Sequence, residues 1–292
     1  MDEDYWCDFV AGWIGGCAGL LVGQPMDTIK VRQQALTKVS SKTSIINIFK
    51  YEGIRGYYKG LSFPLLAAGT LNSLFFGVYG NSIRWLSGDK DKPSTSNVYI
   101  AGCAGGVAQL IVACPVDLVK IKMQLQLGAS KEVWGKFMET NYKGPISCFR
   151  KLYKNGGISS CYTGITTMFL RDVPSFGIYM MLYETFMRNT CGSDRNASPG
   201  AVILCGGMAG VISWASILPL DVVKSRIQAD CPINPQYKNL WDCLVKSYKA
   251  EGLQVFTRGF WMMSLRAFPT NSAIFFGYVT SLDLLRSISS QG

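Results

Sequence analysis

The sequence predicts an all-α membrane protein. It should hold six transmembrane helices in three pseudo-threefold repeats, with short amphipathic helices on one side. Three observations predict it. Six mostly apolar stretches have bilayer length, one ten-residue motif occurs three times, and basic residues crowd three long links.

Composition sets the class. Of 292 residues, 48% are apolar and 16% charged, and mean hydropathy is positive. Soluble chains carry nearer a quarter charged residues, and disordered ones lack this apolar content. There is no His, which removes Ser-His-Asp triads, Cys-His dyads and the commonest metal ligand. No intramembrane carboxylate cluster replaces it for general acid–base work. Neither an enzyme, a metal site nor a cofactor is expected. The ten Cys show no CxxC or zinc-type spacing and read as small buried hydrophobes.

The spans follow in order. A bilayer core takes about 20 mostly apolar residues per helix. The first, second, third and fifth stretches, 9–26, 61–83, 93–116 and 196–220, contain no charge. The fourth, 155–183, is broken only by Arg171 and Asp172, and the sixth, 259–282, only by Arg266. The acidic start, Met-Asp-Glu-Asp-Tyr-Trp-Cys-Asp, lacks both a basic n-region and Arg. It reads as neither a secretory signal nor a transit peptide, so targeting information is expected within the mature chain.

The motif P-x-D-x-x-K-x-[KR]-x-Q stands at 25–34, 115–124 and 219–228. It divides the single domain, 1–292, into repeats at 6–87, 94–190 and 197–288. Gly12 and Gly16, Gly102 and Gly106, and Gly206 and Gly210 precede it, four apart, as small residues for close helix packing. Pro25, Pro115 and Pro219 lack an N–H to donate and are expected to kink the odd helices at one depth. Beyond each kink, Asp27 and Lys30, Asp117 and Lys120, and Asp221 and Lys224 share a helix face. They make either intrahelical pairs or an interhelical ring that closes a pore. Charge at this depth is costly unless paired and marks a transport pathway. Gln34, Gln124 and Gln228 are expected to hydrogen-bond those pairs from one turn below.

The links 30–60, 120–164 and 224–259 hold 21 of the 29 Lys and Arg against six acids. The N-terminus and the short links near 86–97 and 189–198 hold Lys90, Lys92 and Arg195 against seven acids. Six spans place both termini on one face, and the basic bias places the long links inside. Charge spread over three membrane-flanking links also argues against nucleic acid as a partner. The segments 43–51 and 240–248 have helical apolar periodicity and suit the membrane surface.

The triple signature resembles the mitochondrial carrier family over essentially the whole chain. The resemblance implies one central solute site in the mitochondrial inner membrane, basic links toward the matrix, and the Asp/Lys ring as matrix gate. The expected partners are a small-molecule solute and membrane lipid, with cardiolipin a candidate on the matrix side. The chain departs from the pattern at Gly156, where Glu is expected, at Thr163, where a base is expected, and at Thr257, where an aromatic is usual. The cytoplasmic-gate pattern [FY]-[DE]-x-x-[KR] is reduced to Tyr79, to Tyr183 with Glu184, and to Tyr278. Arg84 and Arg188 fall one position late. A weak cytoplasmic gate is expected, and uniport beside exchange is a hypothesis that follows.

Solute ligands should lie where the repeats differ. Aligned on Gly60, Gly164 and Gly259, the even helices carry Ala67-Ala68, Arg171-Asp172 and Arg266-Ala267 seven and eight residues on. Arg171 and Arg266 can hold a carboxylate, and Asp172 can balance an ammonium. Ala67 and Ala68 leave room for an apolar or methylated group. Trp214, where the other repeats have Leu20 and Leu110, can offer a cation–π face. Asn72 and Asn271, with Thr70 and Ser272, are polar in the same register. In the family, an Arg-acid pair here resembles the amino-acid and carnitine/acylcarnitine branch. An amine-bearing solute is therefore expected: an amino acid, a carnitine-like molecule or a choline-like amine. The alternatives are a proton or fatty-anion leak of the uncoupling type, or a carboxylate or nucleotide carrier.

Overall fold

A computed structural model describes residues 2–35, 41–88, 93–126, 142–191, 198–230 and 235–289. In chain order the helices are α1 (Asp2–Ala35), α2 (Ser41–Glu52), α3 (Ile54–Tyr57), α4 (Ser62–Ser87), α5 (Thr95–Leu125), α6 (Pro145–Cys161), α7 (Ile165–Cys191), α8 (Pro199–Ala229), α9 (Leu240–Glu251) and α10 (Phe260–Ser289). Six of these are long: α1, α4, α5, α7, α8 and α10. No strand occurs among the described residues. Lys90, Lys92 and Arg195 of the short links, and Glu132 and Glu139 of the second long link, lie outside them.

Local sequence explains the element starts. Ser94 and Ser198 accept from the backbone N–H of Asn97 and Ala201 to cap α5 and α8, and Asn239 caps α9 by accepting from Asp242. Gly164 and Gly259 directly precede α7 and α10, and Gly60 stands two residues before α4, with φ of 82°, 85° and 78°. That left-handed turn favours glycine. Each of the three also lies against the next odd helix. A Cβ on Gly60 would stand 2.9 Å from the Lys120 carbonyl, on Gly164 3.1 Å from Gln228, and on Gly259 3.0 Å from Lys30. The even helices therefore enter in the same register in all three repeats.

The long helices pack side by side in a closed ring, α1–α4–α5–α7–α8–α10–α1, and α1, α5 and α8 also touch one another. The 54–87, 95–125 and 200–229 segments are apolar enough by composition alone to cross a bilayer. Pro25, Pro115 and Pro219 lie inside α1, α5 and α8, which run on through them as helix. Where these three helices end, Val31, Ala35, Ile121, Leu125 and Ala229 form a buried apolar cluster. Burying the Val, Ile and Leu side chains stabilises each by about 1.5–3 kcal/mol, so the cluster holds the three helix ends together as an apolar plug.

The glycine expectation needs correction. Gly102 and Gly106 do pack tightly, on Gly177, Phe176 and Val173, but Gly12, Gly206 and Gly210 meet nothing closer than 3.8 Å. The close approach falls three residues later: a Cβ on Gly15 would stand 2.6 Å from the Ile274 carbonyl, and on Gly105 2.9 Å from the Phe75 carbonyl. Ala209, fully buried, stands at the third such position. Three residues shift the contact around the helix, so Gly12 and Gly206 turn away from the neighbouring backbone, whereas Gly102 still meets it.

The short helices α2, α6 and α9 connect odd to even long helices. Each exposes an apolar stripe: Ile45, Ile46 and Phe49; Ile146, Phe149 and Tyr153; Trp241, Val245 and Tyr248.

Candidate functional site

One turn before the apolar plug, three ion pairs link the odd helices. Lys120 Nζ donates to Asp27 Oδ2 at 2.8 Å, Lys224 to Asp117 Oδ2 at 2.6 Å, and Lys30 to Asp221 Oδ2 at 2.7 Å. Each pair joins two repeats, so the intrahelical arrangement is not the one formed. A pair between residues three apart on one helix would leave each odd helix self-satisfied. The convergence of α1, α5 and α8 instead offers every Lys a carboxylate on its neighbour.

The glutamines differ among themselves. Gln34 Nε2 donates to Asp221 Oδ2 at 2.7 Å, as expected. Gln124 instead donates to the Thr28 hydroxyl, and Gln228 to the Thr163 carbonyl and the Met168 sulfur. The side chains of the latter two brace neighbouring helices, and among the described residues neither donates to an Asp–Lys pair.

Both central arginines reach the ring. Arg171 Nη1 donates to Asp221 Oδ1 at 2.7 Å while its Nε and Nη2 hold Asp172 Oδ1 at 2.5 Å. Arg266 Nη1 donates to Asp27 Oδ1. Asp172 is thus held by its neighbour Arg171. Trp214 is also engaged: Lys30 Nζ and Arg171 lie over its ring, 5.1 and 5.6 Å from the centroid. Its cation–π capacity serves the protein's own cations.

Exposure separates these charges. Arg171 is 9% exposed at its side chain and Asp221 2%, whereas Arg266 is 29% and Asp117 33% exposed. Two cavities adjoin them. One of about 200 Å³ is lined by the six ring residues together with Arg171, Trp214 and Arg266. The other, about 230 Å³, is lined by Asp172, Tyr179, Trp214, Met263, Arg266 and Asn271 among others. Ala67 is half-buried and Ala68 buried on α4, and Asn72 lies toward Gly16 of α1.

At the other end of the bundle, Arg188 pairs with Glu184 four residues back at 2.9 Å, and Arg84 donates to Gly80 and Asn81 of its own helix. Tyr79 stacks on Phe75, Tyr183 on Tyr179, and Tyr278 packs where Gly15 approaches α10. No ion pair joins two long helices there among the described residues.

Sequence reasoning missed two buried clusters. Glu52 holds Arg32 at 2.7 Å and Lys59 at 2.5 Å, and Glu251 holds Arg226 at 2.5 Å together with Arg258. The signal was present in the second base of the motif and in the Glu-Gly and Lys/Arg-Gly echoes after it. Repeat two has Gly156 and Thr163 at those places, and Lys122 donates instead to the carbonyls of Ala229 and Asp230.

Three successive segments, 2–90, 91–193 and 195–289, each match the mitochondrial carrier protein family profile. The chain belongs to the mitochondrial carrier family. It is a multi-pass protein of the mitochondrial inner membrane, in a family that carries small-molecule solutes. It is 39% identical over 299 residues to solute carrier family 25 member 48 of Homo sapiens, covering 96% of this chain and 95% of the relative. Solute carrier family 25 member 45 of Mus musculus is 35% identical, covering 96% of this chain and 99% of that one. The mitochondrial basic amino acids transporter of Homo sapiens is 40% identical over 275 residues, covering 92% and 87%.

Proposed function

We propose that this carrier moves a small solute bearing both an amine and a carboxylate, an amino acid or a carnitine-like molecule, by alternating access through the central cavity. The observation that carries the reading is the uneven charge of the cavity wall. Arg171 and Arg266 stand at two of three related positions, and Ala67 at the third. Lys30, Lys120, Lys224, Arg171 and Arg266 face Asp27, Asp117, Asp172 and Asp221. One positive charge is in surplus, and an uncompensated charge held away from water is costly. A solute carboxylate on the remaining N–H groups of the exposed Arg266 offsets it. A bare amine such as choline would raise the surplus to two, whereas a zwitterion adds no net charge and gives Arg266 a carboxylate. The similarity to a basic amino acids transporter supports the amine.

In this reading the three Asp–Lys pairs are the matrix gate, with the apolar cluster as a plug beneath them. Gln34 braces the gate directly, and Gln124 and Gln228 hold the helices that carry it. The basic links face the matrix and both termini the intermembrane space. The apolar stripes of α2, α6 and α9 lie on the membrane surface, where cardiolipin is a suitable neighbour. Tyr79, Tyr183, Glu184 and Tyr278 form a weak cytoplasmic gate, which permits uniport beside exchange. The repeats run 6–87, 94–190 and 197–288.

The test is uptake into liposomes carrying the purified chain, with lysine, arginine, ornithine, carnitine, choline, malate and ATP offered in turn. Uptake of an amino acid or carnitine, lost in Arg266→Ala, is the expected result. Entry of malate or ATP alone, or proton leak without added solute, overturns it.

A further inference from the structure

The ring and the central positions obey one rotation, and the rotation is broken at one corner. Arg266 on α10 reaches Asp27 on α1, and Arg171 on α7 reaches Asp221 on α8. Gly60, Gly164 and Gly259 set α4, α7 and α10 in the same register against α5, α8 and α1. The third member of the set is therefore position 67 on α4, opposite Asp117 on α5. That position is Ala67, which has no donor to offer.

Asp117 shows the consequence. Asp27 holds two cations, and Asp221 holds two cations and Gln34. Among the described residues Asp117 has one hydrogen-bond donor, Lys224 Nζ at 2.6 Å, and it is by far the most exposed of the three. It lines the 200 Å³ cavity, and no α4 side chain lines that cavity among the described residues. An accessible carboxylate, an accessible guanidinium (Arg266) and a missing arginine share one chamber.

We propose that Asp117 is the cation subsite of the carrier, and that the ammonium or guanidinium end of the solute takes the place a third arginine would fill. The proposal rests on the amine-and-carboxylate reading above and assigns the amine to a residue. The solute's carboxylate sits on Arg266 and its cation on Asp117, so the two ends are read by α10 and α5. The solute then shares Asp117 with Lys224, the one ring pair with no second cation. Binding loosens that pair, which couples occupancy of the site to opening of the ring.

The experiment supplies the missing arginine. Ala67→Arg, in the full chain in liposomes, puts a guanidinium opposite Asp117. The expected result is a rise of at least tenfold in KM for L-lysine and for carnitine. In detergent the variant should melt higher than wild type without solute and gain nothing further from lysine. Ala67→Leu fills the same space without charge and should also raise both KM values, without the gain in melting temperature. It keeps the proposal testable should the arginine variant fail to fold. KM values within twofold of wild type in Ala67→Arg, or in Ala67→Leu where only that variant folds, overturn the proposal while leaving the amine reading intact. A wild-type chain that takes up malate or ATP but neither lysine nor carnitine overturns both.

Discussion

Asp221→Ala should weaken the closed ring more than Asp117→Ala, although the two residues are equivalent by repeat. Asp221 is nearly inaccessible and accepts from Lys30, Arg171 and Gln34, each at 2.7 Å. Its removal leaves Lys30 without its counter-ion and Gln34 without its acceptor in a buried place. Breaking a buried pair from one side costs about 3–5 kcal/mol. Arg171 keeps Asp172, so the lower end, about 3 kcal/mol, applies. At about 1.4 kcal/mol per decade, this shifts the closed-to-open equilibrium by roughly a hundredfold. Asp117 is a third exposed and meets only Lys224 among the described residues. Solvent reaches that carboxylate but not Lys224, which is 3% exposed at its side chain, so the cost falls between the ~1 kcal/mol of an exposed pair and the ~3 kcal/mol of a buried one. The assay is thermal unfolding of both purified variants in detergent, followed by uptake rate in liposomes. Asp221→Ala should melt below Asp117→Ala and change rate more than solute affinity. Equal melting temperatures, or a larger loss in Asp117→Ala, would refute the argument from burial.

Further outcomes follow from single contacts. Glu251→Gln leaves Arg226 and Arg258 facing each other with no carboxylate and should destabilise by about 3–5 kcal/mol; an unchanged melting temperature refutes it. Burial alone would raise the Glu52 carboxyl, but hydrogen bonds and charge from Arg32, then Lys59, hold it below the usual range. Its contribution is complete above about pH 4.3, the unfolded value, and is lost as pH falls through the lower folded value. Melts taken down the acid limb should show wild type losing more stability than Glu52→Gln. Trp214→Leu removes a ring shared by Lys30 and Arg171 and should cost about 1 kcal/mol, read by the same melts, with Trp214→Phe closer to wild type. Gly15→Leu drives a side chain into the Ile274 backbone and should reduce the yield of folded protein, whereas Gly12→Ala, with nothing within 4 Å, should not.

The sequence by itself determined the repeats, the six spans and the residues of the ring. A motif kept three times at fixed spacing states which side chains share a depth, and a long uncharged run in a membrane leaves only helix to satisfy the backbone. The same alignment marked Arg171, Arg266 and Ala67 as the positions where symmetry fails. What those residues touch belonged to the tertiary structure alone. Partners there lie on other helices, 50 residues away for Arg171 and 239 for Arg266, and no local pattern encodes that distance. The same limit explains Gln124 and Gln228, which share a motif position with Gln34 but meet different neighbours. It also explains the glycines, because helical periodicity gives a face and only packing says which face meets a backbone. Only once α4, α7 and α10 were seen to enter in one register did the absence of an arginine at Ala67 become an uncovered carboxylate at Asp117.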